Sequence, residues 1–186
     1  MKDRIKQLLH HPLLSNRWFL MGLWFVIALA GMLKYNRSFN NFLIFRGVYW
    51  HTVNQTSLYA AYPAEYGDVN HYGPVFSLVI APFALLPLWA GMLLWLVFLT
   101  AWLYVAIVRS GLHEKQKIFI LWFCGITLPT ALFMQQFNIA VAAMILSSFF
   151  LIEKEKDCWA AFFIVLGTLV TVSYTHLRAH ETRHDL

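Results

Sequence analysis

Apolar positions gather in six blocks, at about residues 18–33, 74–86, 88–108, 118–133, 138–152 and 158–170, separated by short polar stretches. A helix needs about 20 apolar residues, within a range of about 17–25, to cross a bilayer. Residues 88–108 meet that length comfortably and 18–33 meet it marginally. The 118–152 stretch reads as a hairpin of two short spans with Gln135, Gln136 and Asn138 at its tip. Short spans are accommodated by local thinning of the bilayer or by burial among neighbouring helices. Block 74–86 contains Pro82, is followed by Pro87, and is too short to span alone. It reads as a re-entrant or kinked lead-in to 88–108. The pattern therefore predicts an all-α, polytopic membrane protein with about five spans.

Residues 35–73 form a long connection between the first two crossings. Connections of this length are uncommon without a role. Phe39, Phe42, Leu43, Tyr49, Trp50 and Val53 recur at helical spacing, with Asn40, Asn41, Asn54 and Gln55 as polar neighbours. This predicts an amphipathic helix lying at the membrane surface. An ordinary connecting helix packed on the spans fits the same pattern. The connection ends in a polar lip, Asp68-Val69-Asn70-His71-Tyr72, set directly before Gly73-Pro74 and the broken apolar block.

Composition supports the membrane reading. The 186 residues are 60% hydrophobic and only 12% charged, whereas soluble domains are about 45–50% apolar and about 25% charged. The formal charge of +5 is then a topology signal, and no basic cluster interleaved with aromatics points to nucleic acid. Lys2, Arg4, Lys6 and Arg17 precede the first block, Arg109, Lys115 and Lys117 lie in one loop, and Lys154 and Lys156 lie in another. By the positive-inside rule these three regions are cytoplasmic. Residues 35–73 and the Gln135–Asn138 tip then face the other side, with Lys34, Arg37 and Arg46 as a thinner contrary signal. The expected location is the inner (plasma) membrane, multi-pass, with a cytoplasmic N-terminus. Ala28-Leu29-Ala30 matches a signal-cleavage pattern, but the further apolar blocks favour a retained anchor.

Other motifs change little. Cys124 and Cys158 lie in apolar runs without a CxxC partner, so neither a disulfide framework nor a zinc site follows. Asn36-Arg37-Ser38 and Asn54-Gln55-Thr56 match the short N-glycosylation pattern, which chance explains well. After Val170 the composition shifts abruptly, and Val172 to Thr182 resembles a translated sequencing adapter. The expectation is that residues 1–170 are the N-terminal part of a longer protein and 171–186 a non-native tail. On that reading the i, i+4, i+8 spacing of His176, His180 and His184 is not a metal site.

Candidate chemistry is confined. Within residues 35–73 the acids are Glu65 and Asp68. A carboxylate accepts a proton from an attacking hydroxyl if it lies within hydrogen-bond reach. Asp68 is the better candidate base because it closely precedes His71-Tyr72-Gly73-Pro74 and the membrane, with Glu65 as the alternative; a solvated loop carboxylate is the plain reading of either. His71 and Tyr72 suit a phosphate or sugar hydroxyl, or an interfacial aromatic belt. Arg46 suits a lipid phosphate by charge-assisted hydrogen bonds, or bulk anionic headgroups. Gln135, Gln136 and Asn138 suit a sugar or the cap of a broken helix. Gly-rich phosphate loops, GxSxG, HExxH and paired cysteines are all missing, which argues against nucleotide-fold, hydrolase and zinc-protease chemistry.

The order of motifs resembles glycosyltransferase family 87, polyprenol-phosphate-dependent mannosyltransferase-like proteins. The resemblance runs through Leu58-Tyr59, Tyr62-Pro63, Asp68, His71-Tyr72-Gly73-Pro74-Val75-Phe76 and Ala81 to Pro87. It continues through Gln135-Gln136-Phe137-Asn138 and the charged loop Glu153-Lys154-Glu155-Lys156-Asp157 before Leu166-Gly167. The resemblance implies a GT-C-type fold and transfer of a hexose from a polyprenyl-phosphate sugar to a glycan or glycolipid hydroxyl, with inversion. It implies an acid of the first outer loop as base, and no cofactor beyond the lipid-linked donor. Relatives often carry an Asp near the position of Asn40-Asn41, and an amide is no base; the lysine expected after the last span is also missing. Two other readings remain: a transporter or flippase of a lipid-linked sugar, which would want charged residues within the spans or inverted repeats, and a non-catalytic membrane scaffold.

Overall fold

The computed structural model describes residues 12–35 and 39–171. They form seven α-helices: α1 (Arg17–Gly31), α2 (Asn40–Val53), α3 (Phe76–Ala84), α4 (Leu88–Val108), α5 (Glu114–Phe133), α6 (Asn138–Glu153) and α7 (Asp157–Thr171), with no strand among the described residues. The early basic residues Lys2, Arg4 and Lys6, the Asn36-Arg37-Ser38 pattern and the tail, apart from Thr171, lie outside the described residues.

Helix α4 is the centre. It packs against α1, α3, α5 and α6, while α7 lies against α6 at one side. Its buried side chains Trp95, Leu96 and Leu99 give an aromatic and aliphatic spine. Trp95 has Phe45 of α2, Phe83 of α3 and Phe137 of the α5–α6 turn at ring-centroid distances of 5.9, 5.1 and 6.0 Å. The start of α1 is set by Asn16, whose side-chain oxygen accepts from the Trp18 and Phe19 amides at 2.8 and 3.4 Å, the ordinary work of an N-cap. The Tyr104 hydroxyl donates to the Arg17 carbonyl at 2.7 Å and holds that end against α4.

The broken apolar block becomes a short helix and a tight corner. Pro82 lies inside the nine-residue α3, where it has no amide proton to donate to the preceding turn. Pro87, with φ −50° and ψ 142°, turns the chain into α4. The corner is tight enough that a Cβ on Gly91 would strike the Phe83 carbonyl oxygen and stand 3.2 Å from Phe42 Cζ. Glycine permits the backbones to approach. Arg46 Nε donates to the Ala84 carbonyl at 3.0 Å, placing a cation at the C-terminal end of α3.

Two helices, α4 with 21 residues and α5 with 20, are long and apolar enough to cross a membrane. The expected five spans thus reduce to two that meet the length requirement. Helices α1, α6 and α7 have 15, 16 and 15 residues, roughly 22–24 Å at about 1.5 Å per residue, against a hydrocarbon core about 30 Å thick. Helix α5 turns Phe119, Phe123 and Ile126 outward, each more than 60% exposed. A row of this kind marks a contact surface for lipid or protein rather than water.

Helix α2 departs from the expected surface helix. It lies on α3 and buries Phe42, Ile44, Phe45, Gly47, Val48 and His51, leaving Trp50 and Val53 of the expected apolar face exposed. Apolar residues occur nearly all round this helix, so the neighbour available, not the residue pattern, chose the buried side. Its packing on α3 is what the connecting-helix alternative expects.

Candidate functional site

Three segments distant in sequence meet above the aromatic cluster: the start of α2, the polar lip and the α5–α6 turn. Two adjacent amides hold them. Asn40 Oδ1 accepts the Gly67 amide proton at 2.7 Å, and Asn41 Nδ2 donates to the Met134 carbonyl at 2.7 Å. A carboxylate could replace Asn40 as acceptor but not Asn41 as donor. The sequence marks this pair as polar neighbours on a helix and as a departure from an acidic position; here it is a clamp.

The lip is shaped by its own polar residues. Asn70 is fully buried; its oxygen accepts the Tyr72 amide proton at 3.0 Å and its nitrogen donates to the Tyr72 carbonyl at 2.9 Å. The Gly73 amide donates to the Val170 carbonyl at 3.1 Å, tying the lip to the end of α7. Asp68 Oδ1 accepts from the Val69 amide at 2.8 Å. The Tyr72 ring stacks on Phe76 at 4.6 Å and meets Phe45 and Phe137 edge-on at 5.2 and 5.8 Å. Burial raises the Tyr72 hydroxyl above its ordinary pKa, because desolvation penalises the phenolate. The hydroxyl is therefore a neutral donor at physiological pH.

The turn is a Schellman-type helix end. Gln135 takes φ +49°, the Gln136 amide reaches the Ala131 carbonyl at 2.9 Å, and the Gln135 amide reaches Leu132 at 3.0 Å. The Gln135 side chain is buried and donates to the Phe133 carbonyl at 2.5 Å. That hydrogen bond supports the turn, while Gln136 and Asn138 reach the surface beside it. Asn138 Nδ2 stands 3.4 Å from Gln136 Oε1.

The result is a cavity of about 210 Å³ lined by Asn41, Ile44 and Phe45 from α2, Asp68, Val69, His71 and Tyr72 from the lip, and Gln136 and Asn138 from the turn. Five of the side chains singled out from the sequence meet here: Asp68, His71, Tyr72, Gln136 and Asn138. Among the described residues Asp68 is the sole carboxylate of the lining. The other three candidates stand elsewhere. Glu65 Oε2 lies 3.3 Å from His51 Nε2, whose Nδ1 faces Thr56 Oγ1 at 2.9 Å and whose ring stacks on Tyr62 at 3.8 Å. Arg46 is on the Ala84 carbonyl, and Gln135 is beneath the turn. Asn41 and Asn70 were missed as site-forming residues; their signal, an amide beside a lip of chemical groups, is too common to single out.

No curated protein and no solved structure matches this chain. The sequence profile of glycosyltransferase family 87 matches residues 70–172. That match takes in His71, Tyr72, the α5–α6 turn and all helices from α3 to α7, and begins just after Asp68. Covering more than half of the sequence, and including most of the segments that build the cavity, it shows that the chain belongs to glycosyltransferase family 87.

Proposed function

We propose that this chain belongs to a GT-C-type membrane enzyme. It transfers a hexose, mannose-like, from a polyprenyl-phosphate sugar to the hydroxyl of a glycan or glycolipid on the non-cytoplasmic face of the inner membrane. Family membership implies glycosyltransferase activity, and the two long apolar helices fit a membrane protein. The observation that carries the finer reading is the cavity where one carboxylate, one imidazole, one neutral phenol and three amides converge from separate segments.

Each group has a task. Asp68 spends one oxygen on the Val69 amide and takes the acceptor's hydroxyl proton on the other. The acceptor oxygen then bonds to the sugar's C1 as the bond from C1 to the phosphate oxygen breaks, with inversion, and polyprenyl phosphate leaves. The Tyr72 hydroxyl and His71 hydrogen-bond the departing phosphate. Gln136 and Asn138 orient sugar hydroxyls. At about 210 Å³ the cavity is below the range of about 300–1,000 Å³ typical of drug-sized ligands, which suits a single sugar head with its lipid outside. No cofactor is needed, because the donor brings its own leaving group. Orientation follows charge: Arg109, Lys115, Lys117, Lys154 and Lys156 stand at the ends of α4–α7 remote from the cavity, so a cytoplasmic basic side puts the cavity outside.

The test is transfer from a synthetic polyprenyl-phosphate mannose by the purified chain expressed from an intact gene. Loss of a general base costs about 10²–10⁴-fold, so Asp68→Asn is expected to lose at least about 100-fold in kcat. Glu65→Gln, whose carboxylate faces His51, keeps at least half. Undiminished turnover by Asp68→Asn removes Asp68 as the base.

A further inference from the structure

A second groove lies at the opposite end of α6 from the cavity. With about 1.5 Å per residue over Asn138–Glu153, the two are roughly 24 Å apart. The groove has a volume of about 350 Å³ and runs between the C-terminal end of α4, the C-terminal end of α6 and the start of α7. Its walls divide by chemistry. Trp102, Val105, Phe150 and Phe163 form an apolar trough, with Trp102 and Phe163 rings 6.0 Å apart. Arg109, Lys154 and Lys156 stand at its mouth.

The local sequence is close to charge-balanced, Glu153-Lys154-Glu155-Lys156-Asp157, yet the three acids are absent from the lining. The turn explains the sorting. Glu155 takes φ +55°, and the Lys156 and Glu155 amides return to the Leu151 and Ile152 carbonyls at 2.8 and 2.9 Å. This reversal puts both lysines on the groove. Lys154 Nζ also donates to the Arg109 carbonyl at 3.2 Å, which joins the two helix ends. Among the described residues the ion pairs involve Arg17, Lys117 and His51, so none of the three groove cations is neutralised by a carboxylate.

We propose that this groove binds an anionic glycerophospholipid of the adjoining leaflet, with its phosphate at Arg109, Lys154 and Lys156 and an acyl chain along Trp102, Val105, Phe150 and Phe163. Basic pockets between membrane helices recognise anionic headgroups by charge, and the apolar trough gives the chain a complementary surface. The site is remote from Asp68 and stands whether or not the transfer reading holds. It assigns the basic loops a binding role in addition to orientation.

The experiment reconstitutes the full chain in nanodiscs of phosphatidylcholine and measures capture of a photoreactive phosphatidylglycerol against added unlabelled lipid. Each groove cation in contact with the bound headgroup contributes roughly fivefold to its capture. The triple variant Arg109→Gln, Lys154→Gln, Lys156→Gln is expected to lose about 100-fold. Lys115→Gln with Lys117→Gln, which removes charge from the same side but not from the groove, is expected to change capture less than threefold. Arg109→Lys with Lys154→Arg and Lys156→Arg keeps the charge and is expected to retain capture, which separates lost recognition from misfolding. Equal losses in the groove and control variants, or a loss below threefold in the triple glutamine variant, overturn the proposal. Displacement of the probe by polyprenyl phosphate but not by phosphatidylglycerol overturns it too, by assigning the groove to the donor lipid.

Discussion

Replacing Gly91 with alanine sets local preference against tertiary contact. Gly91 lies in the first turn of α4, and alanine there would gain about 1 kcal/mol of helix propensity over glycine. The new Cβ meets the Phe83 carbonyl oxygen, with Phe42 Cζ at 3.2 Å and the Phe83 carbonyl carbon at 3.3 Å behind it. The first obstacle is backbone, held by the α3–α4 corner, and cannot swing aside as a side-chain end could. Overpacking costs about 1–3 kcal/mol; a rigid obstacle puts this site at the upper end, leaving a net loss of about 2 kcal/mol. Gly22, in α1, is the internal control, since a Cβ there meets none of the described residues within 4 Å. Gly22→Ala is expected to stabilise by about 0.5–1 kcal/mol. Equilibrium unfolding of both variants by dodecyl sulfate in mixed micelles gives the comparison. If Gly91→Ala proves as stable as Gly22→Ala, the tight corner is wrong.

Arg46→Met removes the charge-assisted bond to the Ala84 carbonyl and is expected to cost about 1–3 kcal/mol of stability while leaving the KM for the lipid-linked donor unchanged; a tenfold rise in KM at unaltered stability would return Arg46 to the substrate. Tyr66 gives a pH signature: burial first, then the charges of Glu65 and Tyr62, push its hydroxyl from 10.0 up to about 12. Between those values the unfolded chain has lost this proton and the folded chain keeps it, so stability is full below pH 10 and falls as pH rises toward 12. Tyr66→Phe, which removes a buried hydroxyl without a hydrogen-bond partner among the described residues, is expected to flatten that decline in unfolding midpoint and to be near neutral at pH 7; an unchanged alkaline slope would contradict it.

The contrast between Gly91 and Gly22 also shows where sequence reading stops. Both are glycines inside apolar helical runs, and only the approach of another backbone distinguishes them. The runs themselves were legible, since six apolar blocks became α1 and α3–α7 with small shifts at their ends. Apolar continuity is a property of neighbouring residues and survives folding. The polar lip before Pro74 was legible for the same reason. The number of crossings was less so, because helices of 15 or 16 residues fall below the length at which composition alone assigns a span.

What the chain determines by itself, then, is where helices run, that they are too apolar for water, and that few ionisable groups accompany the lip. What tertiary structure alone decided is which of those groups face one another. Glu65 and Asp68 are near neighbours in sequence, yet one pairs with His51 and the other lines the cavity. Gln135 and Gln136 are adjacent, yet a positive φ at the first buries its side chain under the turn and leaves the second beside Asn138. Arg46, expected at a lipid phosphate or bulk headgroups, also turns its Nε to a helix end. Each outcome depends on loop geometry and on partners dozens of residues away. Periodicity along the chain carries no information about either.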